Sequence, residues 1–372
     1  MRIALTISSL GIGGAQYVMT WLAETLVSHG HTVSLHCFDT VECQPFFPLH
    51  RDIKLLRLGL ASPSSNISQA LMTNYARVRG LRQSVLEQRP DVALSFMTEM
   101  NVLALLALSD KVPVVVSERV NPVRHNIGPI WSSLRRIAYQ RATAVVVQTQ
   151  DILPFFSRRL RNRCTVIPNP VFPPQHGALP HAHLKRPIIV GLGRLQHQKG
   201  FDILLRAFAA TREAHPEWSL VVYGEGPQLQ ELQDLCTRMG LNAQEIFPGV
   251  THQAGAILAQ ADIFVLPSRF EGFPNALCQA MAAGVACIAT NCESGPSNVI
   301  DQEVNGLLVP VEDEQGLTTT LARLMEDDGL RLRLGQRATE VLIRFAPDNV
   351  AEIWERLLSN ISTRKGGGTC AV

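Results

Sequence analysis

Short apolar runs alternate along the chain with longer amphipathic stretches, and this alternation predicts parallel sheets covered by helices on both faces. In the first half, Ile3–Ser8 reads as a buried strand, and a glycine turn leads from it into the helical spacing of Ala15–Ser28. Strands are expected at Thr32–Phe38, Val92–Phe96, Val112–Ser117 and Ala144–Gln148, with helical spacing over Ala70–Gln88 and Val102–Ser109. A second alternation starts at Pro187–Leu192. It continues through a helix at Gly200–Ala214, a strand at Ser219–Tyr223, a helix at Gln228–Met239 and a strand at Ile263–Leu266. A helix at Asn275–Ala283 and a strand at Ala286–Ala289 follow, and helices at Glu314–Met325, Gly329–Ile343 and Pro347–Ile361 close the chain.

Between the two alternations lie Pro168, Pro170, Pro173, Pro174, Pro180 and Pro187, with Gly177 and three histidines, a composition that reads as an interdomain linker. A chain of 372 residues also exceeds what one core usually serves. The expected plan is a domain over 1–168, a linker over 169–186 and a domain over 187–345. A closing helix over 346–363 and a disordered tail over 364–372 complete it. Two α/β halves of this kind place a cleft at their interface, with ligands at the carboxyl ends of the strands.

Composition changes this picture little: 46% apolar and 18% charged residues are ordinary for a globular protein. No run reaches the roughly 18 uncharged apolar residues of a membrane span. The N-terminal apolar run leads straight into Gly11-Ile-Gly-Gly14 and a helical pattern, which favours a first strand over a signal peptide. Eight cysteines are scattered without a CxxC pair or a zinc spacing, so a reduced, cytoplasmic protein is expected. Charge is more informative. Residues 1–168 hold 18 Lys and Arg against 10 Asp and Glu, a net of +8, and the remainder holds 16 against 22, a net of −6. A basic half suggests an anionic partner, although a chance patch gives the same count.

Three strand-to-helix loops carry the chemistry. In Pro267-Ser-Arg-Phe-Glu-Gly-Phe-Pro-Asn-Ala-Leu-Cys-Gln279, a loop bearing Glu271 precedes a helix expected to be capped by Asn275. Free N–H groups at residues 275–277 suit a diphosphate, and a sugar's hydroxyls give Glu271 a reason to stand beside that anion. Alone, the segment reads equally as a capping loop with a solvated glutamate. A second loop, Gly191-Leu-Gly-Arg-Leu-Gln-His-Gln-Lys-Gly200, supplies Arg194 and Lys199, two cations suited to clamp phosphate oxygens and to neutralise a leaving diphosphate. The third, Gly11-Ile-Gly-Gly14, leaves room for a close ligand or simply makes a tight turn.

The order of a Gly-Gly loop after the first strand, G-R-x5-K-G, Y-G-x-G-P and S-x-x-E-G-F-P-N-A resembles glycosyltransferase family 4. Glu293-Ser-Gly-Pro-Ser-Asn-Val-Ile300 and Asn305-Gly-Leu-Leu-Val-Pro310 extend the likeness. The resemblance implies a retaining enzyme of the GT-B fold, two Rossmann-like domains facing across a cleft with the C-terminal helix crossing back to the first domain. It implies that Arg194 and Lys199 bind the donor diphosphate and that Glu271 holds hydroxyls of the donor sugar, these three forming the catalytic set. Backbone of Phe273, Pro274, Asn275, Ala276 and Leu277 is expected on sugar and phosphate, and Val250 at the nucleobase. Gly13 and Gly14 are expected to approach the donor from the other domain. One position departs from the pattern: the second glutamate of the family's Glu-x7-Glu motif is Gln279 here, so the expected ribose contact lacks its charge. No DxD-type metal site lies near these loops, and a metal-independent reaction without a cofactor is expected, the leaving phosphate taking the acceptor proton.

On the acceptor side, Val116-Ser-Glu-Arg-Val-Asn-Pro122 resembles the S-E-R-N-x-P segment of members that build lipid-linked bacterial glycans. Glu118, Arg119, Asn121 and the nearby Arg124 are therefore candidates to enter the cleft; His125 alone reads as a surface histidine. Pro129–Arg141 has amphipathic spacing, with Ile130, Leu134, Ile137 and Ala138 on one face and Arg135 and Arg136 on another. With Arg158, Arg159, Arg161 and Arg163 it suits an anionic membrane surface or a polyprenyl diphosphate, or it is an ordinary packed helix. The expectation is thus transfer of an N-acetylhexosamine or hexose from a nucleotide sugar, UDP by default, to a glycan or lipid-linked glycan. It places the protein in surface polysaccharide synthesis, peripheral to the inner face of the cytoplasmic membrane, with no nucleic acid as partner. Rival readings are a nucleotide-sugar epimerase, a dehydrogenase and a non-catalytic sugar-nucleotide-binding partner, the last supported only by Gln279.

Overall fold

A computed structural model describes residues 1–61, 66–174, 186–251 and 253–366. The chain divides into two compact units: Met1–Asn169 with the closing segment from Asp348, and Pro170–Pro347.

In the first unit, seven strands form one parallel sheet in the order β3-β2-β1-β4-β5-β6-β7. They are β1 (Arg2–Thr6), β2 (Thr32–Cys37), β3 (Lys54–Arg57), β4 (Val92–Phe96), β5 (Val114–Ser117), β6 (Ala144–Val147) and β7 (Cys164–Val166). Strand order reverses beside β1, so the glycine loop leaves its carboxyl end at a topological switch point. On β1, Ile3 and Leu5 enter one core cluster and Ala4 the other, as a strand covered on both faces requires. Helix α1 (Gly14–Ser28) covers the first face. Helices α2 (Ile67–Glu87), α3 (Thr98–Leu108) and α4 (Gly128–Ala138) contribute to the other. The closing helix Pro347–Gly366 crosses back onto the α1 face and buries Val350, Trp354, Leu358 and Ile361, one helical stripe, in its core.

The second unit holds β8 (Ile188–Leu192), β9 (Ser219–Tyr223), β10 (Ile263–Leu266), β11 (Ala286–Thr290) and β12 (Leu307–Val309). They form a parallel sheet in the order β12-β11-β10-β8-β9. The first strand, β8, lies between β9 and β10, which puts the switch point between β8 and β10. The loops that follow these two strands, bearing Lys199 and Glu271, therefore emerge side by side.

Three strands escape the sequence pattern: β3, β7 and β12. All are short edge strands, and β3 and β7 are only partly buried, so neither shows a continuous apolar run. The helix expected over Gly329–Ile343 is instead two pieces, Asp328–Ala338 and Val341–Arg344. Asn66 caps α2 by accepting from the Gln69 N–H, so that helix starts at Ile67 rather than Ala70. The unit boundary falls at Asn169 and Pro170. Most of the expected linker, residues 175–185, lies outside the described residues. The expected tail from 364 is shortened by the closing helix, which reaches Gly366, and residues 367–372 again lie outside the described part.

Candidate active site

The two loops at the switch point of the second unit run alongside each other, residue against residue. Gly200 adopts a left-handed conformation with φ of 65°, and a Cβ there would lie 2.1 Å from the Pro267 carbonyl oxygen. Only glycine lets the chain turn that close. One step further, the Arg269 N–H donates to the Gln198 carbonyl at 2.7 Å. The Gln198 side-chain amide donates to the Phe270 carbonyl at 2.9 Å. The ladder ends in side chains, where Lys199 Nζ donates to Glu271 Oε1 at 2.6 Å.

Glu271 is buried, and three neighbours fix it. Ser268 Oγ donates to the same Oε1 at 2.7 Å, and Ser294 Oγ donates to the Glu271 main-chain carbonyl. Gly295, at φ of 101°, passes so close that an added Cβ would lie 3.0 Å from the Glu271 Cβ. Both side-chain bonds fall on Oε1, and Oε2 forms none among the described residues. Arg194, earlier on the first loop, is exposed and its side chain makes no bond or ion pair among those residues. The arrangement thus offers one cation already bound to the carboxylate and one cation open to a ligand. Cys292 is no rival nucleophile: burial, reinforced by the charge of Glu271, pushes its thiol up to about 12.

The helix after Glu271 runs Asn275–Ala282, with Pro274 as its N-cap; Asn275 is the first helical residue rather than the cap. Proline fixes the turn into the helix by its ring, without a capping side chain. Phe273 is buried and packs edge-on to Phe345 at 5.4 Å, so only its backbone can serve a ligand. Leu277 is buried, whereas Asn275, Ala276 and Gln279 are partly exposed and share one face of the helix. Val250 is 39% exposed on the loop after Gly249, whose carbonyl accepts from the Gly224 N–H at the end of β9. Gln198 carries no signal of its own in one sequence, and Ser268, Ser294 and Gly295 enter only as motif letters without an assigned role. Their part is visible only once the two loops are paired.

In the first unit, Gly13 is the N-cap of α1 and Gly14 its first residue, directly after the β1 switch point. Of the acceptor-side candidates, Glu118, Arg119 and Asn121 are buried and Arg124 is exposed. Tyr139 donates to Glu118 Oε1 at 2.6 Å and Thr98 to Oε2 at 2.8 Å, and burial pushes the carboxyl above its usual range. Arg119 lies over the Phe96 ring, and burial lowers its guanidinium to about 9.

Helix α4 keeps Leu134 and Ala138 against the core and Arg136 exposed, as expected, but departs at three positions. Arg135 is buried, 4.0 Å from Glu118 Oε1 and over the Phe155 ring, because the buried carboxylate draws a cation inward. Ile130 and Ile137 are instead 68% and 65% exposed.

Two parallel α/β units, one with a lysine-bearing loop and a carboxylate-bearing loop side by side at its switch point, form the kind of architecture in which ligands sit at strand carboxyl ends. Residues 13–170 match the family described as glycosyl transferase 4-like domain, and residues 180–341 match glycosyl transferases group 1. The chain belongs to these glycosyltransferases.

A relative from Campylobacter jejuni, an α-1,4-N-acetyl-D-galactosaminyltransferase named for a PP-undecaprenol-linked glycan, is 25% identical over 97% of this chain and 99% of its own. An exopolysaccharide phosphotransferase of Streptomyces coelicolor is 31% identical over 72% of this chain, which spans only 28% of that protein. The Anabaena protein HepE in complex with UDP superposes with a TM-score of 0.77 at 17% identity, over 97% of this chain and all of that one. That likeness establishes the fold, GT-B.

Proposed function

We propose that the protein moves an N-acetylhexosamine or hexose from a UDP-linked donor to a polyprenyl-diphosphate-linked glycan, with retention at the anomeric carbon, in surface polysaccharide synthesis. The observation that carries this is the Lys199–Glu271 pair, which joins the two loops at the switch point, with Arg194 on the first loop unpaired among the described residues. Arg194 and Lys199 bind the diphosphate, and their charge stabilises it as it leaves, in place of a metal ion. Glu271 accepts from sugar hydroxyls through Oε2. Backbone of residues 273–277 meets sugar and phosphate, Gln279 the ribose and Val250 the base. The acceptor oxygen bonds to the anomeric carbon as its bond to phosphate breaks. The leaving phosphate oxygen takes the acceptor proton on the same face, so retention needs no protein nucleophile. The named acceptor of the C. jejuni relative and the UDP bound to HepE support the two substrates. Release of nucleoside diphosphate from a panel of UDP- and GDP-sugars tests the reading; release that Glu271→Ala leaves unchanged rejects it.

The lipid-linked acceptor brings the protein to the inner face of the cytoplasmic membrane as a peripheral partner. Support comes from α4, whose outward Ile130 and Ile137 stand with exposed Arg136 and Arg141, an apolar and basic face suited to anionic lipid. No helix among the described residues is long and apolar enough to cross a membrane.

A further inference from the structure

Arg269 lies between Ser268 and Glu271 on the second loop, yet its guanidinium is turned toward the first. Its Nη1 donates to the His197 carbonyl at 2.7 Å and to Asp202 Oδ1 at 2.9 Å, and its Nη2 donates to Asp202 Oδ2 at 2.9 Å. Its Nε donates to Glu312. Asp202 lies in the first turn of the helix Phe201–Thr211 that follows Lys199 and Gly200, so the fork ties the start of the His197–Lys199 turn to the helix beyond it. The Arg269 side chain is only 11% exposed and Asp202 20%, so the pair is sheltered from the screening that weakens surface bridges. Burial alone would raise the Asp202 carboxyl, but the hydrogen bonds and charge of Arg269, with Arg206, bring it below its usual range. A bidentate fork fixes direction as well as distance, which a lysine cannot do.

We infer that Arg269, acting through Asp202 and the His197 carbonyl, is the positioning residue that sets where the Lys199 ammonium stands for the donor diphosphate. The inference rests on the donor-site reading above. Arg269 is not placed on the donor itself: its Nε and both terminal nitrogens are engaged by Asp202, His197 and Glu312. It acts by holding the turn, as the supporting shell of a precise site must. A side chain that positions Lys199 matters only while Lys199 is present, and that condition separates positioning from general stabilisation.

The test is a double-mutant cycle read as UDP affinity by calorimetry on the full chain. Arg269→Gln and Asp202→Asn each weaken UDP binding about tenfold, and Arg269→Lys recovers only part of the loss. In a Lys199→Ala background, Arg269→Gln costs less than about a further twofold. Equal losses in both backgrounds overturn the inference, as does unchanged UDP binding in Arg269→Gln. Should Arg269→Gln fail to fold, Arg269→Lys measured in the same two backgrounds decides by the same criterion. Unchanged binding in Lys199→Ala itself overturns the donor-site reading instead, so the two failures are told apart.

Discussion

Lys199 Nζ lies 2.6 Å from Glu271 Oε1, so the cation assigned to the donor diphosphate and the carboxylate assigned to the donor sugar form one ion pair. Their side chains are 17% and 6% exposed, and a pair this sheltered costs more to break than it contributes. Lys199→Met leaves the carboxylate with Ser268 alone and is expected to destabilise the protein by about 3 kcal/mol. Lys199→Met with Glu271→Gln removes both charges and is expected to recover at least about 1 kcal/mol of that loss, read from urea midpoints. A double variant as unstable as the sum of the single ones speaks against the pair.

Gln279 shares the partly exposed face of its helix with Asn275, so a carboxylate fits there without disturbing the core. Gln279→Glu is expected to change stability by less than about 0.5 kcal/mol and to tighten UDP binding several-fold, roughly 1 kcal/mol, by accepting from ribose hydroxyls. If Gln279→Glu and Gln279→Ala both bind UDP like the wild type in calorimetry, residue 279 does not meet the ribose.

The outward face of α4 predicts salt-sensitive binding to vesicles containing anionic lipid. Ile130→Ser with Ile137→Ser removes two exposed apolar side chains, each worth about 1.5–3 kcal/mol when buried, and should abolish flotation without altering the urea midpoint. Flotation that persists in this variant, or that ignores salt, assigns the contact elsewhere.

His36 on β2 is buried between Ser34 and Ser84, and burial, with the charge of Lys54, pushes its imidazole down to about 4. The unfolded chain takes up that proton near pH 6.5, whereas the folded chain resists it until about 4. Stability from this site is therefore complete above pH 6.5 and is lost as pH falls toward 4, by about 3 kcal/mol in all. Equilibrium unfolding across that window should show the slope in wild type and a smaller one in His36→Gln. Equal slopes contradict the burial argument.

Much of this architecture is legible from sequence because parallel strands covered on both faces are short continuous apolar runs, as β4, β6 and β10 are. Loops such as Gly191–Gly200 stand out because glycine and charge interrupt those runs. What the pattern misses has a physical reason in each case. Edge strands β3 and β7 are half covered, and β12 has only three residues. Arg135 and Ile130 exchange their expected places because Glu118, buried behind α4, attracts the cation, a tertiary demand that overrides helical periodicity. Arg269 looks like any loop arginine until the fold sets Asp202 against it.

Assignment of Glu271, Arg194 and Lys199 to a nucleotide-sugar donor site is tested most sharply by release of nucleoside diphosphate from a UDP- and GDP-sugar panel. The wild type should release diphosphate slowly from at least one donor. Glu271→Ala should abolish release, and Arg194→Ala and Lys199→Ala should each weaken donor affinity about tenfold or more, the loss of one charge-assisted bond. Arg194→Ala should do so at unchanged stability, since that side chain is exposed and unpaired among the described residues. Release that proceeds unaltered in Glu271→Ala, or donor binding untouched in both cation variants, would contradict it.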